Sequence, residues 1–251
     1  MEKRESLHLE MEEKKRMIRY HCLCIPTRQA KSGEVQVPEF GFSHVPGTTN
    51  AYGIEWVRFH EGADFPALIR ERAHLVFEVP SLDTILSGER LIKGPYDERP
   101  GVKVAFIDVL DVPVKLMEID RSVAGAGVKN PVEAGGKKLK YHHTGIPGSA
   151  TWADEIKVPH LKLAYLPGKY NAYGVEWLRF EEGNPNPDVI KYVPHVAFEV
   201  ENIDEAMAGE KVIYGPNRET PGIVVSMIEV ADTTVEFLEL DRAIVGTQYD
   251  G

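Results

Sequence analysis

Three polar side chains recur at a fixed interval in strand-like surroundings: Glu55, His74 and Glu118 return as Glu176, His195 and Glu239, each 121 residues further on. A fourth polar position precedes each set, at His21 or Cys22 in the first and at His142 or His143 in the second. Imidazole nitrogens and carboxylate oxygens together suit a borderline divalent ion such as zinc, nickel, cobalt, manganese or iron(II), better than calcium or magnesium. Taken singly, each residue has a blander reading. A lone histidine on a strand is more often a hydrogen-bonded filler than a ligand, and a lone glutamate near a strand end is usually solvated. The recurrence of all three in register tips the balance towards ligation, because positions read as solvent-facing, Lys115 and Glu236, differ between the copies.

The elements that must hold these residues are themselves duplicated. "NAYGIEWVRF" from Asn50 matches "NAYGVEWLRF" from Asn171, and "HLVFEVPSLDTILSG" from His74 matches "HVAFEVENIDEAMAG" from His195. Turn residues recur at the same offset: Pro46–Gly47 with Pro167–Gly168, Gly94–Pro95 with Gly215–Pro216, and Pro100–Gly101 with Pro221–Gly222. Proline and glycine fix turn geometry, so a whole backbone unit has been copied. Each copy is rich in strand-sized apolar runs and carries one clear helix, started by Ser81 or Asn202 as N-cap and stopped at Gly88 or Gly209. The expected organisation is an N-terminal arm or short helix over 1–18, one domain over 19–121, a Gly-containing linker over 122–139 and a second domain over 140–245. Leu7, Leu9, Met11 and Met17 give the N-terminal segment only a weak helical stripe.

Bulk properties exclude several function classes. A net charge of −10 offers phosphate backbones no general attraction, so nucleic acid is not an expected partner. The longest apolar runs, such as "IVVSMI" from Ile223, are strand-sized and far below the roughly 20 residues that span a bilayer. The charged N-terminus has no apolar signal region, and the expected compartment is the cytoplasm. Cys22 and Cys24 read as reduced thiols, because two residues apart on a strand is a poor separation for a disulfide.

These residues resemble the vicinal oxygen chelate superfamily, which includes glyoxalase I, methylmalonyl-CoA epimerase, extradiol dioxygenases and bleomycin resistance proteins. "HVAFEVENIDEA" followed by "PGIVVSMIEVADTTVEFLEL" is similar to the second half of such a domain, and "YHHTGIP" followed by "YGVEWLRF" to the first half with its helix shortened or lost. The resemblance implies an α+β chain of two tandem domains, each made of paired βαβββ modules forming a curved mixed sheet whose concave face holds one divalent metal. It assigns His74 and Glu118, or His195 and Glu239, to the second-half ligand positions, and Glu55 or Glu176 to the first half. Strand parity favours His143 as the remaining ligand, which sets Cys22 opposite it in copy one, while His21 and His142 stay as alternatives.

Two His and two Glu leave about two positions of an octahedron open for adjacent oxygens of a small substrate. The implied activity is a metal-dependent lyase or isomerase acting through an enediolate, with Glu118 and Glu239 as the proton-moving carboxylates. An extradiol-type dioxygenase and a non-catalytic small-molecule binding protein are the competing readings. The expected partner is a small-molecule substrate, and the sheet edges leave a homodimer open.

Overall fold

The computed structural model describes residues 2–125, 128–218 and 220–246, with side chains from Leu9 onward. The expected arm over 1–18 and linker over 122–139 therefore fall partly outside the described residues, as does the side chain of Leu7. Among the described residues no helix is long and apolar enough to cross a membrane. The chain divides into two compact units, residues 1–136 and 137–251.

In unit 1 the strands are β1 (Arg19–Pro26), β2 (Val35–Val37), β3 (Phe42–Val45), β4 (Ile54–Phe59), β5 (His74–Val79), β6 (Arg90–Arg99), β7 (Val102–Val109) and β8 (Val112–Ile119). They form one mixed sheet in the order β2-β3-β4-β1-β5-β8-β7-β6. Two four-stranded halves meet where β1 runs antiparallel to β5. In each half the first strand is parallel to the last, β1 to β4 and β5 to β8. Unit 2 repeats the plan with β9 (Lys140–Pro147), β10 (Ile156–Val158), β11 (Leu163–Leu166), β12 (Val175–Phe180), β13 (His195–Glu199), β14 (Val212–Asn217), β15 (Ile223–Val230) and β16 (Thr233–Leu240), ordered β10-β11-β12-β9-β13-β16-β15-β14.

The helices are short apart from α1 (Glu2–Met17): α2 (Ala67–Glu71), α3 (Leu82–Leu86), α4 (Arg121–Ala124), α5 (Pro131–Ala134), α6 (Asp188–Tyr192), α7 (Ile203–Met207) and α8 (Arg242–Val245). The second half of each unit keeps its crossover helix, α3 or α7, whereas 27–34 in the first half contains none. Ser81 accepts from Thr84 N and Asn202 from Glu205 N, so both caps read from the sequence are made. The β7–β8 and β15–β16 hairpins turn on Leu110–Asp111 and Ala231–Asp232, all four with positive φ, the backbone that a tight hairpin needs. Gly94–Pro95 and Gly215–Pro216 are both cis.

Burial follows from the two faces of each sheet. Phe77, Phe198 and Phe237 lie at 0 % exposure, each contributing roughly 2–3 kcal/mol of apolar burial. Central β5 is buried along its whole length. The segment expected as a linker is partly structured on unit 1. Asn130 is buried there, donating to the Tyr20 carbonyl at 2.8 Å and to Glu78 Oε1 at 3.2 Å, while capping α5. Glu78 is also the partner of His21, Arg19 and Arg121, so one carboxylate ties β1, β5 and α4 together.

Candidate metal centre

The first strand of each unit carries a β-bulge that decides which polar residue faces the sheet's concave side. In unit 2, His143 pairs with Ala197 and Tyr141 with Phe198, leaving His142 as the extra residue. In unit 1 the bulged residue is His21. His21 turns to Glu78, with Nδ1 3.0 Å from Oε1. His142 stacks edge-on against His143, the two Nδ1 atoms 2.8 Å apart. His143 and, by register, Cys22 are the residues that face the neighbouring strands' polar groups.

Four side chains converge in unit 2. His195 opens β13, Glu236 comes from the adjoining β16 and His143 from β9 on the other side of β13, with Glu176 of β12 beyond it. His195 Nε2 is 3.0 Å from Glu236 Oε2, and His143 Nε2 is 3.5 Å from Glu236 Oε2 and 3.6 Å from Glu176 Oε1. Ligand atoms of His143, His195 and Glu236 all lie within 4.8 Å of one another, in the spacing that can hold an ion. Gly145 makes the arrangement possible. It sits directly across from His195 in the ladder, and a Cβ there would come within 2.2 Å of the ring. A strand glycine marking close approach by another group is the general case.

The environment is dry and charged. His195 is 2 % exposed; its Nε2 faces the Glu236 carboxylate, while its Nδ1 meets no hydrogen-bond partner among the described residues. A buried imidazole left in that state is costly unless something else engages it, which fits a metal-ligand role. Burial opposes the charge on His143, but Glu176 and Glu236 outweigh it and raise the imidazole to about 9. Burial would raise Glu236 as well, yet its bonds to His143 and His195 hold it well below the carboxylate range. Glu176, with burial dominant and Glu236 nearby, is pushed up. Two carboxylates in one pocket are thereby driven apart.

Glu118 and Glu239 were expected as the closing carboxylates, and both are engaged on the opposite face. Glu239 Oε2 accepts from Ile203 N at 2.8 Å and Glu118 Oε2 from Leu82 N at 2.7 Å, each holding the first residue of α7 or α3. The cause is parity. Glu239 shares its side of β16 with the buried Val235 and Phe237, while Glu236, three residues earlier, faces the other way. Glu236 was read as a diverged solvent position, but it is 8 % exposed and part of the cluster.

Unit 1 does not repeat the donor set. The positions of His143, Glu176, His195 and Glu236 are taken by Cys22, Glu55, His74 and Lys115. An ammonium stands where a carboxylate ligand would be. Lys115 pairs with Glu98, and that pairing outweighs burial to hold its pKa above the ordinary value. Burial, followed by the Lys115 charge, lowers His74 to about 4, and its ring packs edge-on against Phe106. These residues do not fit the two-His, two-carboxylate ion that the resemblance implies for each domain. They line a cavity of about 360 Å³ walled by Phe40, Phe42, Phe59, Phe65 and Phe106. Arg58 and Arg179, on the strands of Glu55 and Glu176, are spent on Glu34 and Glu155.

Each unit thus joins two four-stranded modules, in each of which the first strand runs parallel to the last, into one eight-stranded mixed sheet, the α+β plan of two tandem paired-module domains expected from the sequence. No family model and no curated protein matches the sequence. Among solved structures, a variant of 4-hydroxymandelate synthase from Streptomyces coelicolor is 12 % identical over 90 % of this chain and 92 % of its own, with a TM-score of 0.46. A hypothetical protein from Staphylococcus aureus is 10 % identical over 89 % of this chain and 100 % of its own, with a TM-score of 0.42. Methylmalonyl-CoA epimerase from Mycobacterium tuberculosis is 13 % identical over 68 % of this chain and 89 % of its own, with a TM-score of 0.19. Likeness at this level transfers no reaction.

Proposed function

We propose that unit 2 is a metal-dependent site of the glyoxalase type, a lyase or isomerase that moves a proton between adjacent carbons of a small, enolisable, oxygen-chelating substrate. The observation that carries this reading is the buried cluster of His143, His195 and Glu236, whose ligand atoms all lie within 4.8 Å of one another, with Nδ1 of His195 left without a partner among the described residues. His143, His195 and Glu236 would hold the ion, with Glu176 beside them. When bound, a divalent ion supplies Lewis acidity that lowers the cost of negative charge on a carbonyl oxygen.

The protein's own groups divide the remaining work. Glu236, with its pKa lowered, stays ionised and serves as a ligand. Glu176, with its pKa raised, is the better proton acceptor, so its carboxylate takes the proton from the hydroxyl-bearing carbon and returns it to the former carbonyl carbon, while the hydroxyl proton passes to the former carbonyl oxygen. Leu178 and Ala197, two residues on from Glu176 and His195 and on the same side of their strands, are buried and apolar, which favours exclusion of water.

The test combines metal analysis of the purified protein with proton exchange. One equivalent of manganese, lost in His195→Ala, together with metal-dependent deuterium incorporation into a hydroxyketone probe in D2O, is the expected result. A protein with no ion whose uptake is lost in His195→Ala, after incubation with manganese, cobalt, nickel or anaerobic iron(II), overturns the reading.

A further inference from the structure

The exchange of residues between the two units removes one metal site and assembles different donors in its place. Cys22 stands where unit 2 has His143, and Cys24 where unit 2 has Gly145. Cys24 lies across the ladder from His74 just as Gly145 lies across from His195. In unit 2 the space above Gly145 belongs to the imidazole, which a Cβ would strike at 2.2 Å. In unit 1 that same position carries a Cβ and a thiol. The sulfur therefore takes the place that the ring takes in the other unit.

The thiols and one carboxylate form a compact group. Cys22 Sγ and Cys24 Sγ are 3.7 Å apart, and Cys24 Sγ is 3.5 Å from Glu55 Oε1. The three ligand atoms lie within 4.8 Å of one another, with both cysteines buried. Metal–sulfur bonds of about 2.3 Å at a tetrahedral angle set two sulfurs about 3.8 Å apart, and a carboxylate oxygen at about 2.1 Å falls about 3.6 Å from each sulfur. The observed spacings match an unstrained edge of such a tetrahedron, and the two sulfurs are not bonded to each other.

We propose that unit 1 binds a thiophilic divalent ion of the zinc group through Cys22, Cys24 and Glu55, a site different in donors and in metal preference from that of unit 2. Thiolate donors select soft ions, whereas the nitrogen and oxygen donors of unit 2 also accept manganese, iron, cobalt or nickel, with affinity rising in that order. Two thiolates and a carboxylate around a divalent ion carry one excess negative charge. Lys115, paired with Glu98, lines the same cavity. Binding converts two thiols to thiolates and releases two protons, with no change in oxidation state. The proposal does not depend on the reading of unit 2.

The experiment is a cadmium titration of the full-length, reduced chain, followed by the ultraviolet thiolate-to-cadmium charge-transfer band and by titration of free thiols. The expected result is a band that saturates at one equivalent and protects both thiols from a disulfide reagent. Cys22→Ser and Cys24→Ser should each lose about half of the band and weaken binding by about tenfold or more, while His195→Ala leaves it intact. Glu55→Gln keeps both thiols and should weaken binding by a similar factor, so it carries the test should either serine variant fail to fold. The absence of a band in the folded chain, or a band unchanged in the serine variants, overturns the proposal. One equivalent of cadmium bound without a thiolate band would place the ion away from both cysteines and equally overturn it.

Discussion

Replacing Gly145 with alanine adds one methyl group where β9 passes beneath the His195 ring. The new carbon would stand 2.2 Å from His195 Cε1 and 2.6 Å from Nε2, against an ordinary contact that begins at 3.4 Å. The ring must therefore retreat by about 1 Å, because a close-packed interior offers no slack. Metal–ligand distances tolerate about 0.2 Å, so His195 leaves the coordination shell. Losing that ligand should weaken the ion by about 100-fold, or about 2.8 kcal/mol. Gly145 is not among the glycines with positive φ, so alanine suits the strand, and overpacking should cost about 1–3 kcal/mol of stability. Manganese is the suitable probe because it avoids the thiols of unit 1. Its affinity would be measured calorimetrically beside a thermal melt for the wild type and Gly145→Ala. A folded variant binding manganese within about twofold of the wild type would refute the argument that the glycine exists to admit the imidazole.

Two further outcomes follow from side chains with opposite duties. Glu236→Gln should abolish manganese binding in unit 2, whereas Glu239→Gln should leave it unchanged and cost about 1 kcal/mol of stability through the weakened start of α7. The reverse pattern in a paired titration and urea melt would return Glu239 to the site. Burial opposes ionisation of Glu78, but His21 and Arg19 outweigh it and lower its pKa to about 2. A lowered carboxylate stabilises the fold fully above its unfolded value near 4.5 and loses that contribution as pH falls towards 2. The stability gap between the wild type and Glu78→Gln, at most about 3 kcal/mol at neutral pH, should therefore close between about pH 4.5 and 2. A gap that stays constant across a pH series of urea melts would show that the Glu78 network is not ionic.

The duplication, the turns and the N-caps were legible because proline, glycine and capping residues act locally and leave their marks at fixed offsets. His195 and Glu176 stood out as polar residues inside strands. The choice between Glu236 and Glu239 was not legible from residue type alone, since "VEFLEL" places a carboxylate on each face of β16. Counting by twos from Val235 and Phe237, which the apolar pattern assigns to the core, would have placed Glu239 with them and Glu236 with the histidines. The choice between His142 and His143 depended on a bulge, which inserts a residue without any sequence signal of its own. Gly145 carried a readable signal that went unused: a glycine within a strand, at a position where the other copy has cysteine.

The position shared by Gly145 and Cys24 also makes the parting of the two halves hard to reverse. Restoring a histidine at position 22 and a carboxylate at position 115 would return the donors of unit 2 in name only, because the sulfur still fills the space that the ring requires. Lys115→Glu alone would add a further carboxylate to the cavity that holds Glu39, Glu55 and Glu98. Converting the donors of unit 1 into those of unit 2 therefore takes three changes, at positions 22, 24 and 115. The smallest of them decides what the space above β1 or β9 can hold: glycine admits a ring, and cysteine fills the space with its own sulfur.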